Sequence, residues 1–64
     1  MCLATVFLQD GEEAKPVLKN ITKAVLENDS WVFTDVIGKK KRLDGDIREI
    51  DLTDNYIILS TPQP

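Results

Sequence analysis

Sixty-four residues make one domain at most, and a chain this short buries only ~60% of the surface its unfolded form exposes, so it is marginal on its own. One cysteine and no histidine exclude an internal disulfide and a Cys/His zinc site within one chain; oligomerisation is the remedy left, and a homodimer is expected. Eleven acidic against eight basic residues, a formal net charge of −3, disfavour binding to a phosphate backbone as the main activity.

Nor does any apolar run approach the ~20 residues of a membrane span. The amino end lacks the basic region and continuous apolar segment of a signal peptide, and a single free cysteine suits a reducing compartment. The expected location is the cytoplasm.

Residues 2–8, Cys2-Leu3-Ala4-Thr5-Val6-Phe7-Leu8, are rich in strand formers and stop at Asp10-Gly11, a strong turn signal. In a pleat, Leu3, Thr5 and Phe7 share one face and Cys2, Ala4, Val6 and Leu8 the other. Both faces are apolar, so this strand is expected to be central or covered. Residues 16–28 read two ways. Val17, Leu18, Ile21, Ala24 and Val25 recur at helical spacing, whereas Val17, Ile21, Thr22 and Val25 are β-branched and resist a helix.

Asn28-Asp29-Ser30 turns the chain into a strand, Trp31 to Val36, which ends at a turn pivoting on Gly38. Lys40 to Leu43 leads into Asp44-Gly45-Asp46, where Gly45 lets an extended strand bend sharply. Ile47 to Leu52 follows as strand, Thr53-Asp54-Asn55 turns, and Tyr56 to Ser60 is the last strand. Five short strands separated by turn signals suggest a closed or partly open small barrel. With 16–28 read as strand, residues 1–60 are expected to form one small all-β domain of about five to six short antiparallel strands in a partly open barrel of the OB or SH3-like kind. Residues 61–64 (Thr61-Pro62-Gln63-Pro64) form a tail, since proline cannot donate to a ladder.

Conventional catalysis is not expected. The one cysteine has no histidine to activate it, and the acid pairs Asp44 with Asp46 and Glu49 with Asp51 read as solvated strand-face residues in a domain too small for a dry cleft. Lys39-Lys40-Lys41-Arg42 is the only basic run. It suits either a solvated hairpin that blunts an edge strand, or a patch for single-stranded RNA or a protein partner with Trp31 and Tyr56 as stacking platforms. Trp31 and Phe33 more often serve as core or interface residues.

Cys2 carries the sharpest alternative. Its ordinary reading is a small apolar residue starting a strand. Its chemical reading is a soft thiolate donor suited to nickel, copper(I) or zinc. Nearby backbone nitrogens close five-membered chelate rings with the sulfur: the freed amine if Met1 is removed, or the deprotonated Cys2 amide with the Met1 amine if it stays. Planar sulfur and nitrogen donors favour nickel(II) or copper(II) over zinc. A site with two sulfurs needs Cys2 from two subunits meeting at a two-fold axis.

The opening Met1-Cys2-Leu3-Ala4-Thr5-Val6 resembles the start of the CooT-like family of small nickel-binding proteins, linked to nickel delivery for carbon monoxide dehydrogenase. Thr34-Asp35, Asp44-Gly45-Asp46-Ile47-Arg48-Glu49-Ile50-Asp51-Leu52 and Ile57-Ile58-Leu59 extend the likeness over nearly the whole chain. Hydrogenase-maturation chaperones of the HypC type are more distantly similar. They share the Met-Cys-Leu-Ala opening but usually continue through a Pro-rich stretch that this chain lacks. The resemblance implies a small barrel-like β fold, strand rather than helix over 17–27, a homodimer, and nickel(II) bound through Cys2 by an accessory protein or metallochaperone with a nickel-enzyme client.

Overall fold

The computed structural model describes residues 3–61, which carry six strands and no helix. Strand β1, Ala4–Asp10, buries Val6 completely and sets Ala4 and Leu8 against the core, while Thr5 and Phe7 fall on the opposite face. It lies between two neighbours, as its two apolar faces require. A tight turn through Gly11, whose φ of 69° suits glycine, returns the chain antiparallel into β2.

Strand β2, Glu13–Glu27, settles the ambiguous segment as strand, and at 15 residues it is far from short. The helical spacing has a physical origin in its irregularities. The pairing with β1 slips around Val17, the pairing with β3 slips between Ile21 and Lys23, and Asn20 adopts a left-handed φ of 59°. Each irregularity breaks the two-residue alternation, so Leu18, Ile21 and Ala24 all reach the core at intervals of three. The first half of β2 pairs with β1 and the second with β3. Pro16 lies in the first half, where one side of the strand has no ladder to lose.

Asn28 and Asp29, both left-handed at φ 50° and 66°, form the two-residue turn into β3, Ser30–Asp35. Phe33 is fully buried, and Trp31 packs beside it against the core. The Asp35 carboxylate accepts hydrogen bonds from the backbone N–H of Ile37 at 3.0 Å and of Lys39 at 2.9 Å, shaping the turn into β4, Lys40–Asp44. Gly45 alone separates β4 from β5, Asp46–Asp51. Its φ is 142°, and a Cβ there would collide with the Ser60 carbonyl oxygen. The chain then turns into β6, Tyr56–Ser60.

The strands form one sheet in the order β4-β3-β2-β1-β6-β5. All pairs are antiparallel except β1 with β6, which run parallel from Thr5 beside Tyr56 to Gln9 beside Ser60. That parallel pair corrects the all-antiparallel expectation. The whole of β2 to β5 intervenes between the two strands, so no hairpin dictates their relative direction. Gly45 ties the two edge strands together at one end, which obliges the sheet to curl around Val6, Ile21, Phe33, Ile57 and Leu59, yet β4 and β5 share no ladder. The barrel is therefore open, and both edges keep unpaired backbone groups. Thr61, the first residue of the expected tail, donates its N–H to the Gln9 carbonyl at 3.3 Å and so extends the β6 pairing. The rest of the tail lies outside the described residues.

Candidate functional site

Cys2, the expected metal ligand, and Met1 lie outside the described residues, whose nearest members are Leu3 and Ala4. The start of β1 is held from two sides. Ala4 is opposite Ile21 on β2, and the Thr5 N–H donates to the Asn55 carbonyl at 3.0 Å. Asp51 prepares that acceptor: its carboxylate takes the N–H groups of Thr53 at 2.9 Å and Asp54 at 2.7 Å, tightening the turn that delivers Asn55 in a left-handed conformation.

Beside Ala4 the curled sheet leaves an open cavity in which Ile21, Ala24, Ile50, Leu52 and Ile57 are mixed with polar Thr22, Lys23, Asp51, Asn55 and Tyr56. Its rim is unusual for so small a chain, with Leu52 83% exposed and Ile50 54% exposed. Among the described residues no three His, Cys, Asp or Glu side chains converge to hold a metal ion.

Three of the four acids singled out in the sequence, Asp44, Glu49 and Asp51, serve the fold. Asp51 anchors its turn as described, and Asp44 accepts a hydrogen bond from the Ser30 hydroxyl across the β3–β4 pair. Glu49 accepts one from the Tyr56 hydroxyl, which in turn raises the Tyr56 pKa to about 12, because phenolate formation would break that bond beside a carboxylate. Reading strand-face acids as merely solvated missed these roles. An Asp at the first position of a turn was the legible signal for Asp51; nothing in the linear order pointed to the Tyr56–Glu49 pair.

The basic run sits on edge strand β4, exposed from Lys40 to Arg42. The two aromatics weighed with it go elsewhere. Trp31 packs on the core, and Tyr56 stands at the start of β6 with its ring edge-to-face against Phe7 at 6.1 Å. Three strands separate β6 from β4 in the sheet order, and Trp31, although on the strand paired with β4, turns its ring to the core, so neither ring forms a platform with the cations. No helix among the described residues is long and apolar enough to cross a membrane.

Residues 1–60 match the family described as CO dehydrogenase accessory protein CooT. A solved crystal structure assigned as CooT from Carboxydothermus hydrogenoformans superposes with a TM-score of 0.88 at 21% identity, covering 97% of this chain and 100% of that one. At that identity the likeness establishes a shared fold. No curated protein matches the chain.

Proposed function

The chain belongs to the CooT family of CO dehydrogenase accessory proteins, and from that premise we propose that it is a nickel(II)-binding accessory protein, not itself an enzyme, whose cargo is held by the Cys2 thiolates of two copies with neighbouring backbone nitrogens. The observation that carries the reading is the family match running from residue 1, which takes in the sole thiol of the chain. The chemistry of the donor supports the choice of metal, since a soft thiolate with amine or amide nitrogens suits a planar nickel(II) centre. One thiol per chain makes the second copy part of the site.

The surface next to β1 supports a homodimer. A cavity rimmed by exposed Ile50 and Leu52 opens beside Ala4, two residues along the chain from Cys2. A second copy seated there would cover apolar surface that one short chain leaves in water. The proposed client is a nickel enzyme such as carbon monoxide dehydrogenase, and the proposed compartment is the cytoplasm.

Cys2→Ser should abolish stoichiometric nickel binding and the sulfur-to-metal charge-transfer absorption while preserving the β-sheet circular dichroism. Wild-type nickel affinity in that variant would refute the thiolate role. Native mass spectrometry with and without nickel checks the bridging geometry. One metal per dimer is expected, and one metal per monomer with no dimer in solution would exclude it.

A further inference from the structure

Four of the eight cations of this acidic chain stand together at residues 39–42, and the fold places them on an open sheet edge. The only ion pair among the described residues joins Arg42 to Glu27 at 3.5 Å, which leaves Lys40 and Lys41 with none. The Asp35 N–H donates to the Lys39 carbonyl at 2.9 Å. Antiparallel alternation from that bond directs the N–H and C=O of Lys40 and Arg42 away from β3, towards open solvent. Lys40, Lys41 and Arg42 also line an open groove together with Val32 and Glu27.

We propose that β4 is a docking edge for an extended acidic segment of a partner protein, which adds to the sheet as a seventh strand and sets its carboxylates against Lys40 and Arg42. Three observations select this occupant. The unpaired backbone row offers a ladder to a peptide, which a nucleic acid cannot complete. The cations repel the β4 edge of a second copy and attract acidic side chains. Single-stranded RNA would need stacking platforms; Trp31, on the neighbouring strand opposite Leu43, is packed against the core, and Tyr56 lies on β6, beyond three intervening strands. A second copy could offer its acidic β5, but β4-to-β5 pairing is head-to-tail and continues into fibres unless it closes into a ring. The proposal is independent of metal binding.

The test titrates the isotope-labelled protein with a synthetic peptide alternating Glu and Val, followed by amide chemical shifts and hydrogen exchange. Shifts confined to β3 and β4, with new protection at the Lys40 and Arg42 amides, are expected. Lys40→Glu combined with Arg42→Glu should weaken binding about tenfold or more, and added salt should weaken it in the wild type. A peptide of the same charge, N-methylated at alternate residues, keeps the electrostatics and loses the ladder. Its binding to wild-type protein must fall sharply, and equal binding would overturn strand addition without recourse to any variant. Three other results would also overturn the proposal: shifts spread over other strands, tighter binding of an oligouridylate than of the peptide, or self-association of the protein that the double substitution removes.

Discussion

Tyr56 and Glu49 show how a single contact converts into a pH dependence. The phenol is held up to about 12 from an ordinary 10.0, chiefly by its hydrogen bond to Glu49. A raised pKa favours the protonated form in the folded state, so the contact contributes stability below pH 10 and loses it as pH rises from about 10 towards 12. Tyr56 is the only tyrosine, which makes its ultraviolet titration unambiguous. The folded protein should ionise near pH 12, and Glu49→Gln should lower that midpoint. Gly45 makes the opposite demand on the backbone. Gly45→Ala combines a forbidden φ with a collision at the Ser60 carbonyl and should destabilise by about 3 kcal/mol in urea unfolding. Gly11→Ala meets open space and should cost only about 1 kcal/mol, the strain of a left-handed residue.

At the scale of the element, β2 decides the shape of the domain. Its bend at Asn20 lets one strand serve β1 along its first half and β3 along its second, and the Asn20 carbonyl accepts the Val36 N–H at 2.9 Å at that corner. Asparagine tolerates the left-handed conformation that a β-branched side chain resists. Asn20→Val should therefore cost about 2 kcal/mol, whereas Asn20→Gly should be neutral or slightly stabilising, both measurable by denaturant titration. The bend also explains why the segment looked helical. Alternation, the sign of a strand, is visible in sequence only where the strand is regular. The turns were plainer, because Asp10-Gly11, Asn28-Asp29 and Gly38 each bring the residue type that a left-handed φ needs.

For the whole molecule, a core of Val6, Ile21, Phe33, Ile57 and Leu59 leaves little reserve. Removing a buried aromatic ring costs about 3–5 kcal/mol, comparable with the entire stability expected of so short a chain. Phe33→Ala should accordingly leave much of the protein unfolded at room temperature by circular dichroism, unless assembly rescues it. If the proposed dimer uses the rim beside Ala4, Leu52→Glu should shift sedimentation from dimer towards monomer and spare the fold, because Leu52 contributes little to the monomer core at 83% exposure.

The sequence by itself determined most of the strands and turns and the sharp bend at Gly45, because each follows from local residue preferences, whereas the all-β class rested on the family resemblance over 17–27. It also singled out Cys2 by its chemistry and its place in a family pattern, although Cys2 lies outside the described residues. Only the tertiary structure decided that β1 and β6 run parallel, that β2 is one long bent strand, and that the basic run lies on an open sheet edge. The structural duties of Asp44, Glu49 and Asp51 emerged there as well. Strand direction, edge position and cross-strand partners depend on residues distant in the chain, and local propensity carries no record of which distant segment will lie alongside.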